Sequence, residues 1–435
     1  MPLIGYHLQY IEKLIDLTDC RYYQTYIGVK YMLNSYRLPF KTKLKHISHM
    51  ISIVLIASNT ANSADINIQS PQHHTPTINS HITAPSTHIV KKLELFHDMK
   101  PNSVKFLGKF NCPSYLPEEG KRRCIDLLAY SGFVYNPHTG LMTQFGGGHS
   151  ATSNNSLNYY SYNEKKWKSY YKPTPCSEMT KDNFDKFHGR WRTDNMPAAR
   201  HTTDCIIANK LRNEFIILKG TGVKGNQCGF SAPEKTSIAS FDIKQKKWSY
   251  TNFIPPWKPS VMTEQDPISG NILIIGKRKA WIYSPVSRIV LKEQMHKSYD
   301  INITQTLLYS NYNDRFYIIK GHHGYGLYKV KLDRKQLNIS IERVHDETGI
   351  LPPIRETGTY AYSGFGMDTK NHKIIGMRYG IIYAYDIPSN NWEQLTPVTT
   401  IKLGSVKANS IAYDPINNIF LIVDTNKNVI AYRYK

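Results

Sequence analysis

The sequence has few cysteines, and none of them is spaced for zinc. Six cysteines are spread over 435 residues, and no pair has the Cys-x-x-Cys spacing of a structural zinc site. Acidic residues are also scarce, with 33 Asp and Glu against 55 Lys and Arg and a formal net charge of +22. The basic residues are scattered and lack a zinc-finger or RNP-like motif, which argues against nucleic-acid binding. An acidic polysaccharide would be attracted by the same charge.

Long hydrophobic runs are absent as well. The short apolar run Met50–Ala57 follows a lysine-rich stretch and precedes small residues, which is the order found in secretory signals. This run is too short to span a membrane. We therefore interpret residues 41–65 as a signal segment, the alternative being a buried strand or helix. The expected protein is secreted or periplasmic, without stable membrane insertion.

Two further segments surround this signal. Residues 1–40 form an N-terminal extension, and because signals begin chains, the place of this extension in the native protein is left open. Residues 66–90 are rich in Ser, Thr, Pro and His and predict a flexible linker. We interpret the linker histidines as polar filler rather than metal ligands, so no metal site is predicted.

The cysteines downstream of the signal predict disulfides if the protein is exported to an oxidising compartment. Cys112 with Cys124 and Cys205 with Cys228 are plausible pairs. This pairing leaves Cys176 without a partner.

From residue 129 onward the chain repeats one pattern, within an expected propeller domain of residues 91–435. Each copy has strand-like runs joined by turns rich in Asn, Asp and Gly, and the period of roughly 45–55 residues is typical of β-propeller blades. The copies lie at residues 129–167, 200–248, 261–287, 304–336, 359–392 and 408–435. We predict an all-β propeller domain with six or seven four-stranded blades.

Two features favour a propeller over the chance alternation of a β-sandwich. The last copy ends at its third strand, so we expect an N-terminal strand, from residues 91–96 or 103–110, to close the ring. A tryptophan also follows a Tyr- or Phe-bearing strand at the same offset in three copies, at Trp167, Trp248 and Trp392.

Several motifs carry a family resemblance. The GGGH at 146–149, YSYNEKKW at 160–167, FDIKQKKW at 241–248 and YAYDIPSNNW at 383–392 resemble the kelch-type β-propellers. That superfamily includes galactose oxidase, a copper enzyme whose cross-linked cysteine has no convincing counterpart on the relevant face here. No cofactor is therefore predicted.

One face of the predicted propeller gathers the candidate functional residues. In an antiparallel blade, the turn between strands two and three and the connection to the next blade open on the same face. Glycines before His149 allow a sharp turn that presents this side chain. Tyr130, Arg200 and His201 lie at blade entries on that face. The corresponding positions in the other blades, which we interpret as substrate-binding, are Arg278, His322, His323, Tyr360, Arg378 and Tyr379.

The GGGH turn followed by Arg200-His201-Thr202 also resembles the propeller-fold ulvan lyases. That resemblance implies that His149 is a catalytic histidine and that Arg200 neutralises a substrate carboxylate. β-Elimination needs a carboxylate neutraliser, a base and an acid, which Arg, His and Tyr can supply. The candidate catalytic residues are therefore His149, Arg200, His201 and Tyr130.

Two functions follow from this face. The first is a secreted lyase that cleaves an acidic, uronate-containing polysaccharide by β-elimination. The second is a non-catalytic kelch-type propeller that binds acidic glycans or proteins. In either case we expect a monomer that works without a cofactor.

Overall fold

The computed structural model describes residues 90–119, 131–146, 153–222, 228–230, 233, 235–259, 261–297, 306–320, 326–352 and 364–435. Short 3-10 turns lie within this part of the chain at Glu94–Phe96, Pro117–Glu119 and Cys176–Glu178. No helix in these ranges is both long and apolar enough to cross a membrane. The predicted extension, signal and linker, up to residue 89, lie outside the described residues and stay predictions.

The first part of the described chain forms two complete blades and several short strands. The strands are β1 (Ser103–Lys109), β2 (Phe133–Asn136), β3 (Leu141–Phe145), β4 (Leu157–Ser161), β5 (Lys166–Ser169), β6 (Phe184–Asp185), β7 (Arg190–Trp191), β8 (Arg200–His201), β9 (Ile206–Asn209), β10 (Glu214–Ile217), β11 (Thr221–Gly222), β12 (Ala239–Asp242) and β13 (Lys247–Tyr250). Blade 1 is β2-β3-β4-β5, and blade 2 is β9-β10-β12-β13.

The remaining chain forms the other blades. The strands are β14 (Met262–Gln265), β15 (Ile272–Ile275), β16 (Lys279–Ser284), β17 (Ile289–Met295), β18 (Thr306–Ser310), β19 (Arg315–Lys320), β20 (Gly326–Asp333), β21 (Asn338–Arg343), β22 (Thr348–Gly349), β23 (Gly364–Asp368), β24 (Lys373–Arg378), β25 (Ile381–Asp386), β26 (Asn391–Leu395), β27 (Val406–Asp414), β28 (Ile419–Asp424) and β29 (Asn428–Arg433). Blades 3, 4 and 5 are β14–β17, β18–β21 and β23–β26, and β22 adds a short parallel strand to the edge of blade 5.

The blades form a closed ring. The innermost strands β2, β9, β14, β18, β23 and β27 each contact the next in chain order, and β27 contacts β2. The structure is therefore a six-bladed β-propeller rather than a seven-bladed one. In blade 6, β1 pairs antiparallel with β29, so that Ser103 lies opposite Arg433. Of the two candidate N-terminal runs, the one at 103–110 contains this pairing strand.

The recurring tryptophans are cross-strand partners in the core. Trp167, Trp248 and Trp392 are each buried on the outermost strand of a blade. Each lies directly opposite the aromatic residue seven positions earlier on the third strand, with ring centroids 5.6, 5.0 and 5.1 Å apart. Aromatic pairs of this kind stabilise neighbouring strands beyond their burial alone. The sequence offset thus corresponds to one repeated packing unit.

The blades present two different faces. The turn face carries the hairpins between the first and second strands and between the third and fourth strands of each blade. The mouth face carries the loops between the second and third strands and the connections from one blade to the next. The innermost strands of all six blades end at the turn face in the same type of turn. There a side-chain oxygen accepts a hydrogen bond from the backbone N–H two residues later, at Asn136, Asn209, Asp266, Ser310, Asp368 and Asp414.

One predicted disulfide is wrong. Cys228 pairs with Cys176, with 5.0 Å between their Cα atoms, and not with Cys205. Cys205 is a free, buried cysteine whose thiol donates to the carbonyl oxygens of Pro259 and Val261. The physical reason is that Cys205 immediately precedes β9 and packs into the core, where burial raises its thiol pKa to about 12. Cys112 is also disulfide-bonded, and its partner lies outside the described residues.

Candidate functional site

Half of the predicted site residues can be located. Arg200, His201, Arg278, Arg378 and Tyr379 belong to the described part of the chain. The other five positions lie outside it and stay predictions, namely Tyr130, His149, His322, His323 and Tyr360.

The segment after His201 contacts the inner strands of neighbouring blades at the mouth face. One carboxylate oxygen of Asp204 accepts hydrogen bonds from the backbone N–H groups of Thr263, on β14, and Leu307, on β18. Thr203 forms a bridge to Ser131 in blade 1 and has a φ of +46°. This turn therefore ties together four blades at the centre of the ring. Burial raises the pKa of Asp204 well above its usual value.

Arg200 lies inside the mouth-face insertion rather than on an open rim. Its side chain is buried, and the residue is only 3% exposed. The guanidinium donates to the carbonyl oxygens of Ala198 (3.1 Å) and Gly189 (2.8 Å) and to the hydroxyl of Thr236 (2.7 Å). No carboxylate of the described residues pairs with it, and burial lowers its pKa to about 10. Arg200 is thus a buried cation whose hydrogen bonds go to neutral groups.

The local strand geometry explains this position. Arg200 and His201 form β8, which pairs with β11 on the mouth face, and neighbouring side chains of a strand point to opposite sides. The stem of Arg200 crosses Gly220, where an added Cβ would lie 2.5 Å from the Cγ of the arginine. His201 is half-buried, so the two residues of this motif have different surroundings.

A disulfide closes this insertion. Cys176 lies in the connection from blade 1 to blade 2, and Cys228 lies in the loop between β10 and β12. The β6–β7 hairpin stands between them, with Trp191 packed against Phe184 and Phe230. The insertion therefore has a small aromatic core of its own above blade 2.

The insertion also contains a group of residues that the sequence interpretation missed. Asp185 accepts a hydrogen bond from the ring Nδ1 of His188 at 2.6 Å. It also forms an ion pair with Nε of Arg190 at 3.1 Å. Burial alone would raise the pKa of Asp185, but the bonds from His188 and Arg190 lower it to about 2. An ionised Asp185 fixes the orientation of the His188 ring, as in the second and third members of a catalytic triad.

Tyr250 completes this group. The His188 ring lies 5.6 Å from the Tyr250 ring, edge to face, and the Arg190 guanidinium lies 5.1 Å above it. The Tyr250 hydroxyl donates to the carbonyl oxygen of Asn195, and burial raises its pKa. Gly189, next to His188, binds Arg200. A histidine, a tyrosine and two arginines are therefore neighbours in this part of the mouth face.

Gly146, which directly follows β3, lies beside a buried polar network. Asn154 donates to Ser114, and its side-chain oxygen accepts from the backbone N–H and hydroxyl of Ser156. Asn158 in turn donates to the Gln144 side chain at 2.8 Å. A Cβ on Gly146 would lie 2.5 Å from the Asn154 carbonyl oxygen, so the first glycine of GGGH is required by close backbone approach.

The remaining basic residues on the mouth face differ in exposure. Arg378 is 5% exposed at the end of β24, and its guanidinium lies 5.5 Å from the ring of Tyr379. Tyr379 and Gly380 form a two-residue hairpin turn with φ of +51° and +77°, and the tyrosine ring is exposed. A non-glycine residue in this conformation is uncommon and presents its ring on the mouth face. Arg278 is exposed on the β15–β16 turn.

Two carboxylates on this face, those of Asp204 and Asp424, already accept hydrogen bonds from within the protein. Asp424 accepts hydrogen bonds from the backbone N–H of Gly404 and from Asn428. Asp204 accepts hydrogen bonds from backbone N–H groups of the innermost strands β14 and β18. Within the described ranges, none of Arg200, Arg278 and Arg378 forms an ion pair, and no group of three or more His, Cys, Asp or Glu could hold a metal ion.

Comparisons with known proteins give no family. No protein-family model matches this chain, and no curated protein matches it. Among solved structures, an auxiliary nutrient binding protein from Bacteroides thetaiotaomicron is 8% identical, with 75% of each chain covered and a TM-score of 0.45. A protein from Lactobacillus plantarum is 10% identical, with 68% of this chain and 77% of that chain covered and a TM-score of 0.40.

A third similar structure is the Cps50 (Swd1) β-propeller domain of Myceliophteria thermophila. It is 9% identical, covers 71% of this chain and 98% of its own, and has a TM-score of 0.40. At these levels of similarity no site residue can be transferred from any of the three. The six sheets and the closed ring of innermost strands of this chain define its fold.

A sequence signal for the missed residues does exist. Asp185, His188 and Arg190 lie within the stretch DKFHGRW, in which a glycine follows the histidine. That spacing suits a tight hairpin in which the side chains of His188 and Arg190 both contact the Asp185 carboxylate. Tyr250 lies 60 or more positions further along the chain, and only the fold brings it to His188.

Proposed function

We propose that this propeller binds an acidic, uronate-containing polysaccharide on its mouth face and cleaves it by β-elimination. The observation that carries the proposal is the unmatched charge of Arg200. A buried cation is costly unless an anion balances it, and the described protein offers Arg200 neutral acceptors only. Because the guanidinium itself is buried, a substrate carboxylate bound at the surface of this insertion would balance its charge through space.

The chemistry needs no redox cofactor. A base removes the proton at C5 of the uronate, the C4–O bond breaks, and a C4=C5 double bond forms while an acid protonates the departing oxygen. Neutralising the carboxylate makes the C5 proton easier to remove. His149 is the catalytic histidine that the family resemblance implies, and we assign it the role of base; Arg200 is the neutraliser that the same resemblance implies. In the mouth-face insertion, His188, oriented by Asp185, supplies a second base, and the neighbouring Tyr250 supplies an acid.

Two structural features support the broader setting. The disulfide between Cys176 and Cys228 suits a secreted or periplasmic protein, since such bonds persist in oxidising compartments. The aromatic–tryptophan pairs in blades 1, 2 and 5 support a kelch-type propeller, because they recur at one register. We propose that the protein works as a monomer.

The test is to incubate the protein with a panel of uronate polysaccharides and one neutral polysaccharide while following ultraviolet absorbance. Elimination produces a conjugated unsaturated uronate that absorbs, whereas hydrolysis and binding do not. We expect a rise that His149→Ala and His188→Ala each reduce at least about 100-fold, the range of a general acid or base. His138→Ala is the matched control, because His138 lies on the turn face and contacts Asn209.

A second candidate function is non-catalytic binding of the same polymers. The three protein acceptors of the Arg200 guanidinium favour it, because they hold the side chain in place and restrict its movement toward a reacting centre. Retained binding without any absorbance rise would select this function. If the protein shows neither binding nor an absorbance rise with any uronate polymer, both proposals are overturned.

A further inference from the structure

A second candidate ligand site lies on the turn face, opposite the mouth. An open pocket of about 410 Å³ lies between the N-terminal segment and the hairpins of blades 5 and 6. Its volume is within the roughly 300–1,000 Å³ range of small-molecule sites. Leu93, Phe96 and Met99 give it an apolar side.

The walls of this pocket are fixed by hydrogen bonds between distant parts of the chain. The backbone N–H of Leu93 donates to the side-chain oxygen of Asn417 at 2.8 Å. The Arg433 guanidinium donates to the carbonyl oxygens of Met99 at 2.8 Å and Asn417 at 2.9 Å. The pocket is therefore built into the fold where the N-terminal segment meets the last blade.

The charge of the lining has one sign. Four cationic side chains line the pocket together with His97, and no Asp or Glu does; these cations are Lys92, Lys370, Arg433 and Lys435. Lys92, His97 and Lys370 are exposed at the rim. The Nε of Arg433 is buried and has no hydrogen-bond partner.

Two acids beside the pocket have other partners. Asp98, next to His97, forms an ion pair with Lys105 at 2.8 Å. Asp414 accepts from the Asn417 side chain at 2.7 Å and from the backbone N–H groups of its own turn. The main-chain oxygen of Lys435 accepts a hydrogen bond from Asn418. Within the described residues, no ion pair joins Lys92, His97 or Lys370 to a carboxylate.

We propose that this pocket binds a small organic phosphate. The phosphate group would lie among Lys92, His97 and Lys370, and an apolar body would cover Leu93, Phe96 and Met99. Phosphate fits better than a carboxylate because the rim offers several point charges on flexible stems. The one arginine fork is already used by two carbonyl oxygens, so it is not open for bidentate carboxylate recognition.

The test measures binding of phenyl phosphate to the full chain by isothermal titration calorimetry, with phenol and inorganic phosphate as comparisons. We expect phenyl phosphate to bind more tightly than either, and its affinity to fall with added salt. The double variant Lys92→Ala, Lys370→Ala should bind about tenfold or more weakly, since each charged hydrogen bond contributes on the order of 1.4 kcal/mol or more. Lys244→Ala, an exposed lysine on a hairpin of blade 2 at the same face, is the control and should bind as the parent does.

Two outcomes would overturn the proposal. One is an affinity for phenyl phosphate no greater than that for phenol, and the other is unchanged binding in the double variant. Thermal unfolding of each variant shows whether it is folded, and both lysines are exposed, so we expect no loss. The result is independent of the proposed function, because these substitutions should leave polysaccharide cleavage at the mouth unchanged.

Discussion

The turn face and the mouth face of this propeller are built on different rules. On the turn face, all six innermost strands end in the same side-chain-capped turn. On the mouth face, the loops differ in length and sequence from blade to blade, and one pair is joined by a disulfide. Because the repeated turns stabilise the ring, the loops of the opposite face can differ in length and sequence. Function in such folds is usually carried by the variable loops on a rigid scaffold.

The two faces also differ in how Arg334 and Arg200 are paired. On the turn face, Arg334 binds Asp266 and Asp314, each through two hydrogen bonds, and these bonds raise its pKa. On the mouth face, Arg200 is more deeply buried and binds neutral acceptors. An arginine that holds hairpins together has its counter-charge within the protein. An arginine without one is a candidate for binding an external anion.

The largest expected effect is on the turn face. Arg334→Met leaves the fully buried Asp266 carboxylate without its cation, and breaking a buried pair in this way costs about 3–5 kcal/mol. Arg200→Met removes a buried charge together with three hydrogen bonds to neutral groups, so we expect a smaller cost, below about 3 kcal/mol. Chemical denaturation of both variants measures the difference. Equal costs would remove the distinction between the two arginines.

The mouth-face disulfide should have the next largest effect. Cys176→Ser and Cys228→Ser should each lower the free energy of unfolding by about 2–4 kcal/mol, because the bond closes a long loop. Cys205→Ala is the control, as Cys205 has no disulfide partner. Limited proteolysis should cut the variants within the β6–β7 insertion first. A Cys205–Cys228 peptide in disulfide mapping would contradict the pairing.

Acid should affect the two faces in opposite directions. Burial alone would raise the pKa of Asp266, but the hydrogen bonds from Arg334 and Ser269 together lower it. This group therefore stabilises the fold above its unfolded pKa of about 3.9 and loses that effect as the pH falls. The pKa of Asp204 is raised, so its contribution to stability grows as the pH falls toward that same value.

Variants separate these two effects. Asp266→Asn should weaken the loss of stability in acid, whereas Asp204→Asn should increase stability near neutral pH relative to the parent and flatten the gain on acidification. Unfolding free energies measured across the acid range check both slopes. Parallel pH profiles for the two variants would show that the faces do not differ in this respect.

The smallest effect on stability is expected at the exposed mouth rim. Lys277→Gln with Arg278→Gln removes two exposed charges and should change stability by less than about 0.5 kcal/mol. The same double variant should weaken binding of an acidic polysaccharide and reduce its salt dependence. Lys244→Gln on the turn face serves as the control. Unaltered polysaccharide binding would place the ligand away from this rim.

Much of the architecture was predictable from local pattern. The strand-turn period predicted propeller blades, and the shared offset between an aromatic residue and tryptophan favoured a propeller over a sandwich. In the structure that offset corresponds to a repeated packing contact. These features are encoded within about 50 residues of sequence, so a linear pattern contains them.

The disulfide and the Tyr250 contact were not predictable in the same way. Cys205 is closer to Cys228 along the chain than Cys176 is, and sequence distance therefore favoured the wrong pair. Likewise, nothing local connects His188 to Tyr250, which comes from the outermost strand of the next blade.

The sequence by itself determined the all-β repeat, the turn-face caps and the positive charge of this protein, because each depends on residue type and on short spacing. The tertiary structure decided the number of blades, the strand that pairs with β29, the true disulfide and the surroundings of each arginine. Arg200 and Arg334 are the same residue type, and only the packing of distant segments gives one neutral acceptors and the other two carboxylates. Solvation and charge pairing arise between segments far apart in the chain, where sequence spacing carries no information.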